Sequence, residues 1–232
     1  VLAVGGDLSP ERLLTAYSMG IFPWFNEGDP ITWWSPDPRM VLFPSELKVS
    51  KSMKPYFNQG KYTVSVDQNF EGVMRNCQQP RGMNGGTWIT EEMVVAYCRL
   101  HELGHAHSVE VWQGDDLVGG LYGVVWGKCF FGESMFTRLS NASKFGFVYM
   151  VKILEALGFW LVDCQQETSH LQSLGARPIH RADFLKIMER NRTQNTLRGH
   201  WGDLSNALKP MVMPFAGAET PFLSRKKSNS FI

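Results

Sequence analysis

Asp163 and Gln165 close the segment LVDCQ, two positions apart at the end of an otherwise apolar run. A carboxylate and a carboxamide sharing one face at the carboxyl end of a buried strand are placed to orient a substrate or take a proton. A carboxylate capping a nearby turn would leave the same pattern. Upstream, Glu133 stands in FFGESMF. Strict alternation there puts Phe131, Glu133 and Met135 on one face and Phe130, Gly132, Ser134 and Phe136 on the other. His101, Glu102 and His105 have the HExxH spacing of zinc proteases, which requires both histidines on one helical face. Gly104 stands where a helix C-cap belongs, and HAHSVEVW then alternates as a strand. His105 therefore leaves in another direction, and no metal site is expected. Lys48, Lys51, Lys54 and Lys61 interleave with Tyr56 and Phe57, a mixture that suits phosphate contacts with stacking. Most lysine clusters, however, are only solvated surface.

The elements that must position these groups can be read from punctuation and period. Phe130 to Gln166 reads as strand, turn, long buried helix and strand, with Asn141 placed to cap the helix and Gly158 to end it. Two such strands in one sheet make a right-handed βαβ unit whose site opens at the strands' carboxyl ends. At the start of the chain a short strand precedes a helix with Ser9 as N-cap, Pro10 at its first position and Gly20 beyond its end. IFPWFNEGDPITWWSPDPRMVLFP holds five prolines and three tryptophans, so it is read as an irregular wall or lid with Trp24, Phe25, Trp33 and Trp34 as candidate lining. An aromatic clasp between subdomains fits the same spacing.

Val41 to Val49 and Tyr62 to Val66 read as strands, with Asp67 capping the helix after them. PRGMNGG reads as a loop that delivers Thr87, Trp88, Ile89 and Thr90, the last capping a helix from Glu91 to Leu103. VEVW, a GDD turn and LVGGLYGVVW form a hairpin. Ser169 is placed to cap a short helix, and Arg181 to Arg190 forms a last amphipathic one. Beyond about Asn191 the period fades, and SRKKSNSFI reads as a mobile tail.

A chain of 232 residues with 44% hydrophobic and 19% charged residues has the composition of a soluble globular protein, and a net charge of +1 argues against a strongly basic nucleic-acid coat protein. Cys77, Cys98, Cys129 and Cys164 form neither a CxxC pair nor a metal-ligand set, which favours a reducing compartment. No apolar run reaches the ~18 residues of a membrane span, and no signal peptide is visible. The chain starts at Val1 inside sequence that already looks folded, so an upstream segment is expected.

GGDLSPERLLTAYSMGIFPWF, WWSPDPRMVLFP, GTWIT, YCRLHELGHAHSVEVW, LVGGLYGV, FFGESMF, NASK, LVDCQ and HLQSLGA together resemble the leucyl/phenylalanyl-tRNA–protein transferases in order and spacing across residues 1 to about 190. The resemblance implies an α+β protein: a small N-terminal domain (1–38), a catalytic domain with the mixed sheet of the acetyltransferase-like fold (39–195) and a divergent C-terminal tail (196–232). It implies transfer of Leu, Phe or, less readily, Met from aminoacyl-tRNA to the α-amino group of proteins beginning with Arg or Lys, which marks them for proteolysis. No metal or other cofactor, a cytoplasmic location and a monomeric state are expected.

Carried over position by position, the resemblance makes Asp163 and Gln165 the catalytic pair and Glu133 a pocket residue for the substrate amino group or a ribose hydroxyl. Leu121, Phe130, Met150 and Val162 become pocket walls with Thr137 nearby. Tyr17, Trp24 and Trp88 become the aromatic groups around the terminal adenosine, and Lys51, Lys54 and Lys61 the tRNA contacts. The basic strip is thinner than is usual in the family, with Pro55, Asn58 and Gln59 between its lysines. Because the donor is an activated ester and an α-amino group has a pKa of about 7.7 to 8.0, positioning and charge stabilisation can carry much of the rate. Cys164 should point away from Asp163, which argues against a cysteine nucleophile. A CoA-dependent N-acetyltransferase is the nearest alternative enzyme, although Asn-Ala-Ser-Lys stands where a Gly-rich pyrophosphate loop would be. A catalytically silent RNA-binding or degron-recognition module is the alternative from another class.

Overall fold

The computed structural model describes residues 1–79 and 88–212; PRGMNGG, Thr87 and SRKKSNSFI lie outside them. The chain opens with β1 (Ala3–Val4), α1 (Pro10–Ser18), β2 (Phe22–Pro23), β3 (Thr32–Trp34) and β4 (Arg39–Leu42). A single 3-10 turn, Pro44–Glu46, leads to α2 (Lys54–Asn58), β5 (Thr63–Val66), α3 (Phe70–Gln78) and α4 (Glu91–Glu102). The centre is β6 (Ala106–Gln113), β7 (Asp116–Trp126), β8 (Cys129–Thr137), α5 (Ala142–Ala156) and β9 (Leu161–Gln165). Then come α6 (Ser169–Ser173), β10 (Arg177–Ile179), α7 (Arg181–Asn191) and α8 (Gly202–Val212).

The main sheet has seven strands in the order β10-β4-β9-β8-β7-β6-β5. All its neighbours are antiparallel except β8 and β9, which run parallel because α5 carries the chain back to the end where β8 began. This is an α+β fold with a mixed sheet. α5 is apolar on nearly every side and packs beneath the sheet with Phe145, Val148, Met150 and Leu154 buried. Its close approach requires Gly119 on β7, where an added Cβ would lie 2.7 Å from the Cβ of Ala142. The opposite face is covered by α1, α3, α4 and α7, which contribute Tyr17, Val73, Tyr97 and Phe184 to a second buried cluster.

Both sites of predicted chemistry fall where the ladder is irregular. Tyr122 pairs with Ser134 and Gly123 with Gly132, which leaves Glu133 as an extra residue on β8. Met40 pairs with Gln165 and Val41 with Asp163, which leaves Cys164 extra on β9. A β-bulge inserts one residue and so inverts the alternation beyond it. Accordingly Phe131 shares a cluster with Phe136, while Met135 packs with Phe130 beneath the sheet, contrary to strict alternation. Gly123 meets the β8 bulge at close range: a Cβ there would sit 2.3 Å from the carbonyl oxygen of Phe131.

Several local expectations are corrected. The Val41 to Val49 strand ends at Leu42, because Pro44 cannot donate to a ladder and starts the 3-10 turn instead. The proline-rich stretch is not irregular throughout, since β2 and β1 both pair with β3 in a small antiparallel sheet. Asn69, not Asp67, caps α3, and Thr168, not Ser169, caps α6. Ser9 and Asn141 hold the N-cap positions without capping through their side chains: Ser9 donates its main-chain N–H to Asp7, and Asn141 donates its amide to the hydroxyl of Tyr56. Arg181–Asn191 is not the last helix.

After residue 195 the chain packs back on the body of the protein, with α8 against α5 and β5. Trp201 is 1% exposed and stacks on His107 with ring centroids 3.8 Å apart. Its main-chain N–H donates to the buried carboxylate of Asp67 at 2.8 Å, which also accepts from Ser108 N–H and bonds His107 Nδ1. Burial opposes the Asp67 charge, but these hydrogen bonds outweigh it and hold the carboxyl below its usual range. Trp201→Ala should therefore cost about 3–5 kcal/mol in urea unfolding; a loss below about 1 kcal/mol would mean that the segment adds little to the core.

Candidate active site

A cavity of about 800 Å³ opens along the carboxyl-terminal halves of β8 and β9. Of the residues expected at a site, Trp24, Trp88, Leu121, Phe130, Glu133, Thr137, Val162 and Gln165 line it. Leu121, Phe130 and Val162 form apolar wall on the α5 side of the sheet. Met150 is 1% exposed inside the core behind that wall and does not line the cavity. Phe25 and Trp33 likewise belong to the core, and Trp34 packs against Trp24, with centroids 5.6 Å apart. The Nε1–H of Trp34 donates to the Trp24 carbonyl at 2.8 Å, so the small sheet holds Trp24 in place.

Glu133 is the single acidic side chain among the described lining residues. The bulge turns it toward the helix-covered face, where the Tyr97 hydroxyl donates to Oε2 at 3.3 Å and Gln165 Nε2 donates to Oε1 at 3.0 Å. Tyr17 is fully buried and bonds the Tyr97 hydroxyl at 2.5 Å, so it buttresses Glu133 from behind and lies off the cavity wall. Burial pushes the Glu133 carboxyl up from about 4.5 to about 7, the nearby charge of Asp163 adds to this, and the tyrosine and glutamine hydrogen bonds only partly oppose it. The group is thus poised to gain or lose a proton near neutrality.

Asp163 points to the same helix-covered side of the sheet as Gln165 but does not line the cavity. Its side chain is 0% exposed and forms a two-point pair with Arg39, Nε to Oδ1 at 2.8 Å and Nη2 to Oδ2 at 2.5 Å. The carboxylate lies off the cavity lining and is matched to a guanidinium. Asp163 reaches the site through Gln165, whose main-chain N–H donates to Oδ1 at 2.9 Å. Gln165 holds φ at +61°, a left-handed conformation that is uncommon for a side chain of its kind, and this together with the bulge at Cys164 swings its amide into the cavity.

Cys164 does face away from Asp163, packing against the cluster beneath the sheet, and burial followed by the charge of Asp163 pushes its thiol well up. Cys164 is half-buried and lines the cavity, but a thiol whose pKa is raised in this way is a poor nucleophile. The HExxH residues diverge. α4 ends at Glu102, Gly104 turns the chain at φ +75°, His101 stacks on Phe70, and His105 stacks on Trp126. Lys51, Lys54 and Lys61 lie outside the cavity lining, on and beside α2, with Lys61 Nζ 5.2 Å from the Tyr56 ring centroid. Sequence reasoning missed Arg39 and Tyr97 as parts of the site. Tyr97 falls four positions before His101 on the helix, where only its period marked it as buried.

The raised Glu133 carboxyl has a measurable consequence. The folded protein keeps the proton up to about pH 7, whereas the unfolded chain releases it near about 4.5, so stability is lost as pH rises through this window. Glu133→Gln removes the ionisation. Its stability relative to the parent should rise by about 3 kcal/mol between about pH 5 and about pH 8 in urea unfolding, whereas a constant difference would place the carboxyl near its ordinary value.

Comparison with known proteins adds to this geometry. The profile of the leucyl/phenylalanyl-tRNA protein transferase family matches residues 41–189, and that of the same family's N-terminal domain matches residues 6–37. A leucyl/phenylalanyl-tRNA–protein transferase of Nitrosospira multiformis is 62% identical over 184 residues, 79% of each chain. One of Chromobacterium violaceum is 56% identical over 191 residues, 82% of each chain. Among solved structures, a GCN5-related N-acetyltransferase from Kribbella flavida superposes with a TM-score of 0.39 at 12% identity, over 73% of this chain and 60% of that one. On the extent and level of the sequence matches, the chain belongs to the leucyl/phenylalanyl-tRNA–protein transferase family.

Proposed function

We propose that this aminoacyltransferase moves Leu, Phe and, less readily, Met from charged tRNA to the α-amino group of proteins that begin with Arg or Lys, creating an N-terminus that marks them for degradation. The observation that carries this reading is a cavity with an apolar wall and, among the described residues, one acidic group, Glu133, joined directly to the Gln165 amide. Leu121, Phe130 and Val162 give a donor side chain an apolar wall, which rewards Leu, Phe and Met and penalises charge. Trp24 and Trp88, both half-buried in the lining, offer ring faces for the terminal adenine. Thr137 also lines the cavity, and it accepts the Ser143 N–H at the start of α5 at 3.4 Å. Lys51, Lys54 and Lys61 supply positive charge for acceptor-stem phosphates outside the cavity.

The chemistry asks little of the protein. A neutral α-amine adds to the ester carbonyl, the nitrogen sheds one proton, and the ribose oxygen leaves with one. In this reading Gln165, with Nε2 committed to Glu133, uses its Oε1 to accept a hydrogen bond from the attacking amine and so aims it. Glu133 holds the donor's amino group or the ribose hydroxyl. Asp163 acts from behind, as the acceptor that fixes the Gln165 main chain. The rival CoA reading loses support at the start of α5, where the first amides bond to Leu139 O and Thr137 Oγ1 and are not presented to a pyrophosphate.

The test is transfer of labelled Leu or Phe from charged tRNA to two peptides, one beginning with Arg and one with Ala, without CoA or added metal. Label on the Arg peptide alone is the expected result. Label on both peptides would remove the acceptor rule, and label on neither while charged tRNA binds would leave a binding module.

A further inference from the structure

The geometry points to Arg39 as a positioning residue for the transfer reaction, acting through Asp163 on the amide of Gln165. Arg39 is 0% exposed and lies between the rings of Phe22 and Phe184, with its guanidinium carbon 4.8 and 4.5 Å from their centroids. That sandwich fixes the plane of the guanidinium, and the fork of Nε and Nη2 then fixes the plane of the Asp163 carboxylate. Asp163 Oδ1 accepts both the Arg39 Nε–H and the Gln165 N–H. Gln165 needs this anchor. Its left-handed φ of +61° follows a bulged residue, and such a conformation persists only where its surroundings hold it. Arg39 is 124 positions from Asp163 in the chain and starts β4, the strand on which β9 is bulged. A lysine there would keep the charge but, as a point donor, could not hold the carboxylate plane.

This inference rests on the role given above to Gln165, and the experiment separates the two. Single-turnover transfer of Phe from saturating charged tRNA to an Arg peptide is measured for the parent, Arg39→Lys, Gln165→Ala and the double variant, together with the KM for charged tRNA. The expected result is a rate for Arg39→Lys lower by on the order of 10-fold to 100-fold, a KM little changed, and a double variant no slower than Gln165→Ala. Gln165→Ala at the parent rate would overturn both the role of Gln165 and the inference. A slow Gln165→Ala with either an unimpaired Arg39→Lys or a double variant slowed by the product of the two losses would overturn the inference alone. If Arg39→Lys does not fold, the pair is replaced as Arg39→Met with Asp163→Leu, an exchange that buried ion pairs often tolerate. That protein should unfold near the parent Tm and transfer as slowly as Gln165→Ala; transfer at the parent rate would overturn the inference.

Discussion

The buried pair of Arg39 and Asp163 constrains everything around the site. Neither side chain touches solvent, and a lone charge in that position would be costly, so each requires the other in a fixed geometry. The pair also joins separate parts of the chain. Arg39 starts β4, Asp163 lies in β9, and the aromatic rings against the guanidinium come from β2 and α7. The small N-terminal sheet, the central βαβ unit and α7 therefore meet at one ion pair, and beside it Gln165 emerges into the cavity.

This arrangement suits a reaction whose electrophile is already activated. A strong base or a covalent nucleophile is unnecessary when an ester meets a neutral amine, and the site favours neither: the half-buried thiol of Cys164 has a raised pKa and Asp163 is paired with Arg39. It offers a held amide and a carboxyl tuned to the pH at which an α-amine becomes neutral. The tyrosines behind Glu133 hold that carboxyl at the cavity wall.

Elements defined by local punctuation are legible in the sequence. Thr90 caps α4 through Met93 N–H, Gly158 ends α5 at φ +70°, and the GDD turn joins β6 to β7. The bulges are not legible, because one unpaired residue depends on the partner strand and leaves the composition unchanged. They fall at Glu133 and Cys164, and the first makes strict alternation misplace Met135, while Asp163 and Gln165 keep the common face that alternation gives them. Arg39, in DPRM, carries no local sign of its role, because its partner Asp163 lies 124 positions away. Trp201 is a different case: a lone tryptophan in a polar stretch, GHWGD, signals burial even where the helical period is weak. The resemblance supplied the wall residues that pattern alone could not, and among them only Met150 lies behind the wall.

The central claim is that Gln165 and Glu133 meet the substrate while Asp163 holds Gln165 from behind. The most direct measurement is a crystal structure with a 3′-phenylalanylamido adenosine, in which an amide replaces the reactive ester. The account predicts the phenyl ring against Leu121, Phe130 and Val162, the amino group or ribose hydroxyl on Glu133, and the Arg39–Asp163 pair unbroken. A ligand bound directly to Asp163, with Arg39 displaced, would contradict it.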